Sequence, residues 1–241
     1  MIKTKKANSQ EILNELKALK DETCAKNRSK FFQTHKGGYG EGDLFLGLTV
    51  PQQRKAAGKY YRDITVKETE KLLRNKFHEA RYVALAILIE KYKKKKISDK
   101  EKKEIAGAYL RNSKYINNWD LVDISAPHII GEYWFNNSPQ NLWKYAKSKN
   151  LWQERISVLA TLYFIRRDVF DKTLELAVFF LKHEHDLMHK AVGWMLREAG
   201  KRSADVLYKF LDKYRKVMPR TMLRYAIEKL PERKRKHYME K

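Results

Sequence analysis

Arg155-Ile-Ser-Val-Leu-Ala160 decides the fold, because the chain spells a similar phrase three more times: Arg81-Tyr-Val-Ala-Leu-Ala86, Lys190-Ala-Val-Gly-Trp194 and Arg224-Tyr-Ala-Ile227. Each phrase begins with a cation and runs into an apolar stripe. Successive cations lie 74, 35 and 34 positions apart, and the first gap is close to two periods, with Trp119 near its middle. A period of about 35–40 residues with two helices per unit is the mark of an α-solenoid of HEAT-like helical repeats. An irregular α-bundle would also show helical periodicity, but it gives no reason for cations in register. The fold class expected is therefore all-α. Such folds curve, so Arg81, Arg155, Lys190 and Arg224 are expected to line a basic concave face suited to a duplex backbone.

Working outward, helix signals run almost end to end. Ser9 opens the first helix, with apolar residues at Ile12, Leu13, Leu16 and Leu19. Thr49-Val-Pro51 reads as a helix start with proline in the first turn. Thr65…Glu68 and Ser98…Glu101 have capping-box spellings. Further helices are predicted over 78–95, 118–135, 139–148, 151–166, 169–182, 186–199, 204–215 and 219–229. The exception is 34–49, a stretch with five glycines that reads as a loop inserted into one domain spanning 1–241. It lacks the Gly-Lys-Ser/Thr ending of a phosphate loop, and no strand precedes it.

The chain carries 52 Lys and Arg against 29 Asp and Glu, a formal net charge of +23. Such an excess repels itself unless a polyanion is near, which makes nucleic acid the first candidate partner and an anionic membrane surface the second. The single cysteine, Cys24, excludes an intrachain disulfide framework. No apolar window has the length of a membrane span, about 18–20 residues, and the basic start has no apolar core of a secretory signal. A cytoplasmic, nucleoid-associated monomer is the expectation. His185 and His189 have the i, i+4 spacing some zinc sites use, but further ligands are not evident, so no metal and no cofactor are expected.

Trp119 and Asp123, in NNWDLVD, carry the sharpest chemistry. At i, i+4 they share one face of a helix. An indole attracts cations through its quadrupole and a carboxylate through its charge, so the pair suits a flat, electron-poor cation. A purine alkylated on a ring nitrogen is such a group. A buried, unpaired carboxylate is costly, so this face must be wet or functional. Trp134, Trp143 and Trp152 read as core, and Trp194 taken alone does too.

WDLVD (119–123), LWQERIS (151–157), HKAVGWMLRE (189–198), MPRTMLRYAIEKLP (218–231) and FLGLTVP (45–51) together resemble the DNA alkylation repair family of AlkD-type glycosylases. The resemblance spans about residues 9–235. It implies hydrolysis of the N-glycosidic bond of N3- and N7-alkylated purines in duplex DNA, by enzymes that can leave the lesion stacked. Trp119, Asp123, Arg155 and Trp194 match the family's active-site positions. The family's early aromatic falls on Phe31 or Phe32, with Tyr39 of the glycine-rich loop as the alternative. On this reading Asp123 stabilises the oxocarbenium-like transition state and orients water, the two tryptophans pack against deoxyribose, and Arg155 clamps a phosphate. The competing reading is a non-catalytic HEAT-like module that binds damaged or branched DNA, or RNA.

Overall fold

The computed structural model describes residues 6–240, and among these the regular structure is helical. Contacts divide the chain into two compact units that meet at Ser125 and Ala126. The first contains α1 (Ser9–Ala18), α2 (Glu22–Phe31), α3 (Val50–Tyr60), α4 (Val66–Leu73), α5 (His78–Tyr92), α6 (Asp99–Arg111) and α7 (Trp119–Ser125). The second contains α8 (Ile130–Asn137), α9 (Asn141–Ala146), α10 (Leu151–Ile165), α11 (Asp171–Phe179), α12 (Asp186–Arg202), α13 (Ala204–Tyr214), α14 (Arg220–Ile227) and α15 (Glu232–Met239). The all-α expectation holds.

Sequence explains most of the helix starts. Thr49 caps α3 in a reciprocal capping box with Gln52, with Pro51 in the first turn. Ser98 and Glu101 form the same box at α6. Thr65 caps α4 by accepting from the Glu68 backbone N–H, but the Glu68 carboxylate does not reach back to Thr65. It accepts instead from the backbone and hydroxyl of Ser9, at 3.0 and 2.8 Å, and so ties α4 to the start of α1. The cap of α1 itself is Asn8.

One expectation needs correction. The helix predicted over 118–135 is two helices, because Pro127 cannot continue the hydrogen-bond ladder and disfavours helical backbone at Ala126. Cys24 stands in the first turn of a separate helix, α2, where Asp21 accepts from its N–H. The basic tail forms α15.

One helix dominates each core. In the first unit α5 is buried around almost its whole circumference, and α3, α4, α6 and α7 pack on it. In the second, α10 has the same role for α8, α9, α11 and α12. Their stripes read as mostly apolar because neighbours cover them on nearly all sides. In the second unit α8, α10, α12 and α14 pack in succession, every other helix of the chain, as expected of stacked two-helix units. The repetition extends to backbone contacts. A Cβ on Gly131 would meet the Ala160 carbonyl at 2.5 Å, and one on Gly193 would meet the Met222 carbonyl at 2.4 Å. The side chains of Tyr163 and Tyr225 crowd the same two points, at 2.8 and 2.6 Å.

Overpacking at such a contact costs about 1–3 kcal/mol. Gly193→Val should therefore lower the urea midpoint with little change in the slope of unfolding. An unaltered midpoint would mean that α12 and α14 do not approach this closely.

Candidate functional site

Trp119 opens α7, its N–H held by the Asn118 side chain at 2.8 Å. Its ring stacks on Phe32, with centroids 5.4 Å apart, and meets the edge of Phe31 at 6.1 Å. Its indole N–H donates to the Tyr39 hydroxyl at 3.3 Å, and that hydroxyl donates to the Phe31 carbonyl at 3.1 Å. Tyr39 reaches this position because the glycine-rich loop folds back on the end of α2. At Gly40 a Cβ would lie 2.3 Å from the Phe32 carbonyl, so only glycine fits. The three early aromatics thus separate by role. Phe32 is core, Phe31 is 64% exposed, and Tyr39 bonds directly to the indole. Asp123 follows one turn after Trp119 on the same helix and is half-buried.

Beneath Trp119 lies a buried polar network that the sequence did not disclose. The Asp43 carboxylate accepts from Arg81 at 2.6 Å, from His78 Nδ1 at 3.1 Å and from the amides of Asn117 and Asn118 at 3.3 Å each. His78 Nε2 meets the Asp120 carboxylate at 2.8 Å. A carboxylate only accepts, so His78 can serve both neighbours only as the imidazolium. Burial opposes that charge, but the Asp120 carboxylate, with hydrogen bonds to Asp120 and Asp43, outweighs it and holds the His78 pKa above the ordinary 6.5. Burial likewise pushes Asp43 up, and the His78 hydrogen bond together with the Arg81 charge more than offsets it, leaving Asp43 below the usual carboxylate range. The expectation that Arg81 faces DNA is corrected here. It is 4% exposed, and its guanidinium is committed to Asp43.

A second buried acid, Glu79, fixes the Phe45-Leu-Gly47 segment. It accepts from the backbone N–H groups of Leu46, Gly47 and Leu48 at 2.9, 2.8 and 3.3 Å. Between α2, α3 and α7 an apolar cleft of about 530 Å³ opens, walled by Phe31, Phe32, Trp119 and Ile124.

In the second unit Arg155 is also nearly buried, and Nη1 donates to the Leu187 carbonyl at the start of α12. Its neighbour Glu154 pairs with His183 at 3.1 Å. His185 caps α12 by accepting from the Leu187 N–H, and His189 bonds the His183 carbonyl, so these histidines serve the helix junction. Lys190 and Trp194 stand i, i+4 on α12. Lys190 pairs with Asp186 at 2.7 Å, and the half-buried Trp194 donates its indole N–H to Glu198 at 3.1 Å. Arg224, on α14, is exposed.

The profile of the family described as DNA alkylation repair enzyme matches residues 12–230, and the chain belongs to that family. No curated protein matches it. Among solved structures it is similar to a predicted DNA alkylation repair enzyme from Enterococcus faecalis. Identity is 16%, over 88% of this chain and 97% of that one, with a TM-score of 0.70. At that identity the likeness concerns the fold. No helix among the described residues is long and apolar enough to cross a membrane.

The network sets a pH dependence of opposite sign at its two ends. The stabilisation from His78 is fully present below its ordinary value and is lost as pH rises through its raised one. That from Asp43 is present above the ordinary carboxylate value and is lost as pH falls through its lowered one. NMR titration should place the His78 midpoint above 6.5. Asp43→Asn should lower that midpoint and cost about 3–5 kcal/mol, because it leaves Arg81 buried without its counter-charge. A His78 midpoint at or below the ordinary value would dissolve the network.

Proposed function

We propose that the chain is a DNA glycosylase that hydrolyses the N-glycosidic bond of cationic N3- and N7-alkylated purines in duplex DNA. One observation carries the reading: α7 presents a half-buried carboxylate, Asp123, one turn from the half-buried indole of Trp119, in a chain of net charge +23. A protein that only binds phosphate gains nothing from an acid on such a face, which would repel the backbone. Membership of a DNA alkylation repair family supports the same chemistry.

An N7- or N3-alkylated purine already bears a positive charge, and it departs as a neutral base without needing a proton. A single carboxylate therefore suffices, in contrast to the pair used by most sugar hydrolases. As the bond to the base lengthens, positive charge moves to the deoxyribose. Asp123 stabilises that charge and orients or deprotonates the attacking water, whose oxygen forms the new bond to C1′. Trp119, braced by Phe32 and Tyr39, packs against the deoxyribose and adds cation–π attraction. In the second unit, Trp194 contacts the backbone at the lesion. Arg155 is as buried as Arg81, with its guanidinium on the Leu187 carbonyl, and is likewise given no phosphate contact. Lys190 and the exposed Arg224 extend the contact to neighbouring phosphates, and buried Arg81 is left out.

The test is release of free base from duplex DNA carrying N7-methylguanine. Asp123→Asn should slow release by about 10²–10⁴-fold while sparing duplex binding measured by fluorescence anisotropy. Full turnover by that variant would remove Asp123 from the mechanism. No release by either protein, with tight and salt-sensitive binding, would leave a non-catalytic DNA-binding module. Separately, Arg224→Gln should weaken binding to every duplex alike and reduce the salt slope by about 1. An unchanged slope would mean that Arg224 touches no phosphate.

A further inference from the structure

Trp194 is assigned a contact with the DNA backbone, and a flat ring serves there only at a fixed tilt. Its own main chain is already pinned. Gly193, the residue before it, brings α12 so close to α14 that a Cβ there would meet the Met222 carbonyl at 2.4 Å. What remains to be set is the orientation of the indole. Glu198 lies one turn further along α12, and side chains on a helix lean toward its N-terminus. The Glu198 Oε1 accepts the indole N–H at 3.1 Å. The same oxygen accepts from Lys201 at 2.7 Å, and Arg197 Nε stands 3.7 Å away. Arg197 reaches on to Glu228 of α14, which also pairs with Lys229 at 3.1 Å. The Glu198 side chain is only 21% exposed, so these bonds are largely sheltered from water.

The bond limits what Trp194 can do. An indole has a single hydrogen-bond donor and no acceptor. With that donor taken by Glu198, none is left for a phosphate oxygen. The ring offers DNA its face, which suits the apolar side of a deoxyribose and attracts positive charge developing on the sugar. Lys201 and Arg197 balance the carboxylate, so that it holds the ring without repelling the phosphate backbone.

We infer that Glu198 is a positioning residue for base release: it turns the Trp194 ring toward the sugar and withholds the indole N–H from phosphate. The effect on the reaction rests on the glycosylase reading; the placement of the ring does not. Glu198 touches neither the lesion nor the attacking water, and it acts only through Trp194. A task confined to the ion pairs between α12 and α14 would depend on its charge. Orientation of the indole depends on its acceptor oxygen.

That difference sets the test. The indole N–H signal of Trp194 is followed by NMR in the full chain and assigned by its loss in Trp194→Phe. In the wild type it should exchange with water about tenfold more slowly than in the urea-unfolded chain, a comparison that needs no variant. Glu198→Ala should lose that protection. It should also slow single-turnover release of N7-methylguanine from duplex DNA about tenfold at saturating protein, while duplex affinity does not weaken. Glu198→Gln keeps an acceptor oxygen and drops the charge, and should restore protection and rate to within about twofold. Lys201→Met breaks the ion pair and spares the indole bond, so it should release base at the wild-type rate. An unprotected N–H in the wild type overturns the inference. So does Glu198→Gln or Lys201→Met as slow as Glu198→Ala, or a loss of affinity that accounts for the loss of rate. Base release with an unprotected N–H sinks the role of Glu198 and keeps the glycosylase. A protected N–H without base release sinks the glycosylase and keeps the placement of the ring.

Discussion

The Asp43 carboxylate is buried where the glycine-rich loop, the start of α5 and the approach to α7 converge, and four side chains aim donors at it. An ionised carboxylate at such a place is tolerable only when paired and hydrogen-bonded. Arg81 and His78 supply the charge, and Asn117 and Asn118 fill the remaining positions. The same contacts set the register of the loop against α5 and the point at which α7 begins. Trp119 follows Asn118 directly, and Tyr39 lies four residues before Asp43. The indole, its hydroxyl partner and the two acids of α7 therefore inherit their positions from a group that faces no substrate. Glu79 acts similarly one residue along α5, gathering three successive backbone N–H groups of the loop.

A strongly basic chain has reason to keep its acids few and engaged. Several are held by named partners, as Asp120 is by His78 in the first unit and Glu198 is by Trp194 and Lys201 in the second. Such pairs fix ring orientation as well as charge. A negative site within a positive field discriminates between the phosphate backbone, which it repels, and a cationic lesion, which it attracts. Affinity for DNA in general and preference for a damaged nucleotide can thus come from opposite charges on one protein.

The helical periodicity and the capping residues at Thr49, Thr65 and Ser98 are local signals, carried by side chains a few positions apart, so the sequence displays them directly. Trp119 and Asp123 were legible as a pair for the same reason, since i, i+4 needs only a helix. What stayed hidden was long-range. Nothing near Arg81 announces that its partner is Asp43, 38 residues earlier, so it read as one more cation in a row. His78 gives no signal because both of its carboxylates lie far along the chain, and Asp120 lacks the one-turn spacing from Trp119 that singles out Asp123. The break at Pro127 was visible in the residue itself but was masked by the apolar pattern on either side. The alternatives at Phe31, Phe32 and Tyr39 separated only once the loop closed, because a tight approach at Gly40 is a property of the folded backbone.

Gly131 and Gly193 bring helix backbones together by lacking a side chain, and each meets its carbonyl at the same separation along the chain, 29 residues. A contact made through absence places little demand on the letters around it. So long as the glycine stays and its neighbours remain apolar, the surrounding side chains are free to drift through exchanges of similar bulk. An architecture pinned in this way can outlive its own spelling. Two members can diverge until few positions agree and still superimpose, and their kinship is then preserved more durably in shape than in text.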